Sequence, residues 1–455
     1  MTTLVEQLST YCADLRYEDL PGEVVGQAKR LIIDTVGCAL GGYWSEPARI
    51  ARDIAATVRS SEPVTVIGSG ERTSPDLATF ANGVMIRFLD FNDGYTSTGE
   101  SGHPSDSIAA VLSAAELRRR SGREAITATV LAYEVFCRIC DEADLKPLGF
   151  DHVTVGGMAS TAAAARLLGL APPEIAQAFN LAIAPNVALY QTRIGHVSMW
   201  KGCAYANASR NAVFAAMLAA RGMTGPAPIF EGVGGYFKAV TRKPFELRTL
   251  GRAGHSYKIM ECSIKRFPLG QYSQTVIEAA LQLRNKMSSP DAIAEIRIET
   301  VTTAIRLMAG DIDKWEPKTR ESADHSMPYT VAIAFLFGEV EQRHFGEHYL
   351  RDPKVLALTQ RVKAKGTEEA DRRMPDAMFC KMDVVTVAGE THTAVVEYHK
   401  GHWKNPMSDA EVEGKFCRLA REALEEERAE RLLATLRRLE SLDDAGDIVR
   451  LTKAG

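Results

Sequence analysis

Apolar residues recur at intervals of three and four through most of the first half of the chain. In EVVGQAKRLIIDTVGCAL (23–40), Val24, Val25, Ala28, Leu31, Ile32, Thr35, Val36 and Ala39 share one face, the spacing of a buried helix. Segments 106–119, 124–140, 159–169, 173–184 and 203–221 repeat the pattern with stripes rich in Ala, Ser and Gly, which let helices approach closely. Segment 159–169 is apolar nearly all round, so it is predicted to lie inside a large helical domain. Pro173 near the start of one helix and Gly222 just past another are ordinary boundary signals.

After the Gly/Pro-rich passage GMTGPAPIFEGVGGYFKAV the texture changes. AEIRIETVT (294–302) alternates like a half-buried strand, and VVTVAGETHTAVVEY (384–398) reads as a hairpin around a glycine-containing turn. Between them, 325–340 and 352–365 are predicted helices. From Ser408 the chain is strongly charged and helical; its Glu/Arg runs at 424–440 are expected to form a solvated face with i,i+4 pairs. The expected domains are therefore a helical one from 1–255 and 403–455, and a smaller α/β one from 256–402. A chain of 455 residues is long enough for two or three cores.

Composition narrows the classes. Hydrophobic residues at 45% and charged residues at 25% exclude disorder, and eight scattered cysteines exclude a disulfide scaffold. With 54 Lys+Arg against 58 Asp+Glu there is no global field for nucleic acid or an anionic membrane, so any anion must be held by local charges. The N-terminal segment, with Glu6 and Asp14, lacks the pattern of a secretory signal, and no long apolar run is present. A cytoplasmic protein bound neither to membrane nor to nucleic acid is expected.

Chemistry concentrates in FLDFNDGYTSTGESGHPSDSIAAVL (88–112). Asp90 and Asp93 flank Asn92, and a polar loop leads to His103-Pro104-Ser105-Asp106 and an apolar helix. Ser105 or Asp106 is the expected N-cap, which would set His103 at a helix N-terminus, a place that disfavours the imidazolium and attracts anions. A carboxylate and a histidine brought together there could move a proton, although the spacing alone describes a surface loop with a capped helix more readily. His152 precedes an Ala-rich helix. Lys201 enters a long buried helix behind Trp200, and Lys265-Arg266 sits at a Pro-marked break. A buried ammonium needs a partner or a ligand. Cys137-x-x-Cys140 has no second pair, and the Rossmann, Walker, HExxH and GxSxG patterns are missing.

These residues, in order, make the chain similar to the MmgE/PrpD family. The matching stretches are KRLIIDTVGCALGG (29–42), ANGVMIRFLDFND (81–93), GHPSD (102–106), GFDHVTVGGMASTAAAARLLGL (149–170), MWKGCAYANASRNAVFAAMLAARGMTGP (199–226), IKRFPLGQYSQT (264–275) and DHSMPY (324–329). The resemblance implies a mainly α fold, with a large all-helical domain, an inserted α/β lid and an active site in the cleft. It also implies a homodimer with neither metal nor other cofactor, and a di- or tricarboxylate as small-molecule substrate. Asp90, His103, His152 and Tyr329 carry over as catalytic residues; Lys201, Lys265, Arg266, Asn92 and Asp93 as substrate-binding ones. The implied reaction is dehydration of a 2-hydroxy tricarboxylate of the 2-methylcitrate type to a cis-aconitate-type acid. Decarboxylation, amino-dicarboxylate epimerisation or a non-catalytic carboxylate binder are the alternatives. Gly94 replaces a common Thr; Gly270 replaces the histidine of the decarboxylases, and Tyr272 one frequent among dehydratases.

Overall fold

The computed structural model describes residues 2–195, 197–252 and 254–453, and the chain is mainly α-helical. It divides into two compact units. The first comprises residues 1–192, 202–262 and 408–455; the second comprises 193–201 and 263–407.

The helices of the first unit follow from the periodicity. Gly22–Gly41 buries Val24, Ala28, Leu31, Ile32 and Val36, and Gly122–Glu142 opens on a Ser121/Glu124 capping box and buries most of its length. Val153–Leu168 is buried on nearly all sides, as its composition demands. The C-terminal helices Asp409–Ala420, Glu426–Arg437 and Gly446–Leu451 belong to the same unit, and the first packs on Gly22–Gly41. Their Glu/Arg run is solvent-exposed as expected, but among the described residues its pairing is not i,i+4: Arg437 pairs with Glu413 of the neighbouring helix, and Arg428 donates to the Lys453 carbonyl. These contacts tie elements together instead of decorating one helix face. A two-stranded ribbon, β1 (Val64–Thr65) with β2 (Arg72–Thr73), completes the unit.

The second unit is built on the sheet β4-β3-β5-β6, where β3 is Ile293–Thr300, β4 Val362–Gly366, β5 Cys380–Thr386 and β6 Thr391–Val396. β5 and β6 form the expected hairpin, β3 runs antiparallel to β5, and β3 pairs parallel with β4 from Ile296↔Val362 to Thr300↔Gly366. Ile293, Ile296 and Ile298 of β3 and Cys380, Met382 and Val384 of β5 are buried, and helices Gln274–Arg284 and Met327–Phe337 complete that core. The segment 352–365 is a correction: helix Pro353–Thr359 ends and β4 follows. Its VKAKG alternates exposed lysines with smaller residues, and Lys363 and Lys365 pair with Glu295 and Glu299 of β3. A parallel neighbour requires a long crossover. That connection, residues 301–361, carries Lys314, Arg320, Asp324 and His325. None of the described helices is long and apolar enough to cross a membrane.

Candidate functional site

In the first unit, helix Pro75–Phe88 ends just before the acidic loop. Asp90 takes φ 49°, a left-handed conformation that costs a non-glycine residue about 1 kcal/mol. Arg87, one turn earlier and buried, holds it there: Nη1 donates to Asp90 Oδ1 at 2.6 Å, and Nε lies 3.5 Å from Asp106 Oδ2. Asn92 Nδ2 donates to Ser105 Oγ at 2.8 Å and to Asp106 Oδ1 at 2.7 Å. Asp106 therefore braces the loop and does not cap a helix. The expected capped start is corrected: a 3₁₀ turn, Pro104–Ser107, precedes helix Ile108–Arg118, and neither Ser105 nor Asp106 is its cap.

His103 Nδ1 lies 2.7 Å from the Asp93 carbonyl oxygen. That oxygen can only accept, so Nδ1 carries the proton of the neutral ring and Nε2 presents a lone pair. The Asp93 side chain accepts from the Ser105 amide at 3.2 Å. Burial pushes its carboxyl up to about 6, against the opposing pull of Ser105 and Tyr133. The His152 ring stands edge-on to His103, with centroids 5.6 Å apart, and its Nδ1 is 2.7 Å from Asp151 Oδ1. Gly102 makes this packing possible, because a Cβ there would lie 2.5 Å from His152 Cδ2 and 2.8 Å from Phe136 Cζ. Tyr205 donates to or accepts from Ser107 at 2.8 Å, and burial holds its hydroxyl protonated. This unit thus assembles two imidazoles, a carboxyl of raised proton affinity and an Arg-paired carboxylate.

The second unit assembles cations. Lys201 Nζ lies 2.7 Å from Asp324 Oδ1 and 2.8 Å from His325 Nδ1, which is itself 2.6 Å from that same oxygen. Arg320 Nη1 approaches Asp324 Oδ2 at 3.4 Å. Burial alone would raise the Asp324 carboxyl, but Lys201, His325 and Arg320 overcome it and hold it down at about 2. Lys201 is thus half of a buried ion pair as well as a cation. Lys265 is buried to 1% exposure, and its charge adds to the effect of burial, the two together lowering His399 to about 4 against the opposing Lys400 backbone contact. Gln274 pins the adjacent turn through the Phe267 amide and carbonyl.

Two expected residues lie elsewhere. Tyr329 is a fully buried core residue whose hydroxyl donates to the His344 carbonyl at 2.5 Å, so it is not poised as a donor to a ligand. Arg266 is exposed, with its guanidinium 5.3 Å from the Phe267 ring centroid, outside the buried cationic set. Conversely, Arg87, Asp324 and His325 escaped the sequence reading. Arg87 precedes Asp90 by one helical turn, and Asp324-His325 opens the DHSMPY stretch, so both carried a local signal.

Comparison with known proteins identifies the family. The sequence profile of the MmgE/PrpD N-terminal domain matches residues 6–248, and that of the MmgE/PrpD C-terminal domain matches 267–441. A 2-methylcitrate dehydratase of Cupriavidus necator is 30% identical over 421 residues, covering 85% of this chain and 84% of its own. The 2-methylcitrate dehydratase of Escherichia coli K12 is 30% identical over 368 residues, 76% of this chain and 74% of its own. The cis-aconitate decarboxylase of Homo sapiens is 26% identical over 474 residues, 100% and 95% respectively. With both profiles matching in chain order over most of the chain, and two relatives 30% identical over 85% and 76% of it, the chain belongs to the MmgE/PrpD family.

Proposed function

We propose that the protein is a carbon–oxygen lyase that removes water from a 2-hydroxy tricarboxylate of the 2-methylcitrate type, giving a cis-aconitate-type alkene acid. The observation that carries this reading is the 2.7 Å approach of His103 Nδ1 to the Asp93 carbonyl oxygen. With Nδ1–H committed to the Asp93 carbonyl, Nε2 is the general base. It takes the proton beside a substrate carboxylate, the C–H electron pair forms the alkene, and the C–O bond breaks. The hydroxyl leaves as water by taking a proton from His152 Nε2, a donor in the doubly protonated ring whose Nδ1–H is held by Asp151. The proton lost is weakly acidic, so the charge developing on the neighbouring carboxylate needs preorganised cations; within the second unit, Lys201 and Lys265 are buried lysines that suit a carboxylate ligand. The Arg87 ion pair makes Asp90 an orienting acceptor.

Dehydration is favoured over decarboxylation by Gly270. The direction in which a side chain would project there is filled by Met308 Cε, 2.6 Å from an ideal Cβ, with His325 Nε2 at 3.5 Å. The chain has no histidine at this position, where the decarboxylase resemblance would require one, and its place is taken by the movable end of Met308. The test is the near-ultraviolet absorbance of the conjugated product with 2-methylcitrate, citrate or cis-aconitate. His103→Ala is expected to lose roughly 10²–10⁴ in rate. Activity within a few-fold of the unmodified protein would remove His103 as the base. Binding of all three acids without turnover would leave a carboxylate-binding homologue.

A further inference from the structure

Lys314 lies on the short 3₁₀ turn Ile312–Lys314 in the crossover of the second unit, and only 3% of its surface is exposed. Its backbone is fixed at the cationic set, because its carbonyl accepts from the Ser326 hydroxyl, and Ser326 follows His325 and caps helix Met327–Phe337. Among the described residues its ammonium forms no ion pair within 4.0 Å. Asp324, the one buried carboxylate of the neighbourhood, is instead taken by Lys201, Arg320 and His325. Burial and the nearby Lys201 charge both lower the proton affinity of Lys314, while Asp324, Asp311 and Asp313 act the other way from beyond contact distance. A buried ammonium without a carboxylate is costly, and such a group persists where a ligand supplies the missing charge.

We propose that Lys314 binds a carboxylate of the ligand, and that with Lys201 it makes the second unit a receptor for acids carrying three carboxylates in preference to two. The proposal rests on the carboxylate-binding part of the reading above and deepens it by naming the group that counts the charges.

The experiment is calorimetric titration of the full-length protein with propane-1,2,3-tricarboxylate, which has no hydroxyl to eliminate, and with glutarate, its two-carboxylate counterpart. The unmodified protein is expected to bind the triacid at least tenfold more tightly. Lys314→Met should lose tenfold or more for the triacid and less than threefold for the diacid, and Lys314→Arg should retain triacid binding within a few-fold. Without ligand, Lys314→Met should melt at or above the temperature of the unmodified protein, since it relieves an uncompensated charge. Unchanged triacid affinity in Lys314→Met, equal losses for both acids, or no triacid binding by the unmodified protein would each overturn the proposal. Lys314-dependent triacid binding with no turnover of any hydroxy acid would uphold it while refuting the lyase reading, so the two fail separately.

Discussion

The buried pair of Lys415 and Asp34 is the most exacting test of how the acidic loop is held. Lys415 lies on helix Asp409–Ala420 and Asp34 on Gly22–Gly41; their side chains are fully buried and meet at 2.7 Å. The same ammonium donates to the Phe91 carbonyl at 2.7 Å and lies 3.8 Å from the Phe91 ring centroid. A residue far along the chain thus anchors the backbone between Asp90 and Asn92. Lys415→Met strands a buried carboxylate and takes the donor from the Phe91 carbonyl. Breaking such a pair costs about 3–5 kcal/mol, which for a unit of this size lowers the melting temperature by roughly 6–10 °C. Replacing both partners, Asp34→Leu with Lys415→Met, removes the stranded charge and should recover most of that stability. A double-mutant cycle by urea denaturation should therefore give a coupling of about 3 kcal/mol. Activity should not recover, because Phe91 has still lost its anchor: misplacement of the loop should cost roughly 10–100-fold in rate. Additive stabilities would refute the pairing argument. A double variant that is stable and fully active would refute the claim that Lys415 positions the loop.

The buried Asp93 carboxyl makes a prediction of definite sign. Its proton affinity is raised to about 6 in the folded protein from an ordinary 3.8, so its contribution is most favourable below pH ~4 and is lost as pH rises through about 6. Asp93→Asn should therefore gain ~3 kcal/mol relative to the unmodified protein between pH 4 and 7, measured by urea denaturation across that range, whereas parallel pH curves would show that Asp93 is ordinarily ionised. Gly102→Ala should cost about 1–3 kcal/mol by driving a methyl into His152 and Phe136, and should lower activity by turning the His152 ring. Gly157→Ala, whose Cβ would meet only Ala208 at 3.8 Å inside helix Val153–Leu168, is the control expected to leave the rate unchanged and to raise stability by about 0.5–1 kcal/mol.

The helices of the first unit and the β5–β6 hairpin were legible because their causes are local: a 3.6-residue period, caps, and alternation around a glycine turn. The same rules explain the failures. Segment 352–365 places Val355, Leu358 and Val362 at three- and four-residue spacing, and nothing local says that the helix stops at Thr359; β4 exists because β3 offers it a parallel edge and Glu295 and Glu299 offer its lysines partners. Ser105 and Asp106 have the chemistry of caps, but Asn92 and Arg87 make a better offer from across the loop. For charged residues the difficulty is deeper, because their meaning depends on the partner that folding supplies. Lys201 and Lys314 look alike in sequence, each an isolated lysine beside a tryptophan. Folding gives one of them Asp324 and, among the described residues, leaves the other buried without a carboxylate in contact. Lys415 sits in a tail whose charges look solvated, yet it is the least exposed of them and reaches Phe91, 324 residues earlier. Residue type and spacing can nominate a proton-transfer loop, since a loop is contiguous. A set of cations collected from separate segments becomes a site only through the pairing of its charges, and that pairing is a property of the folded chain.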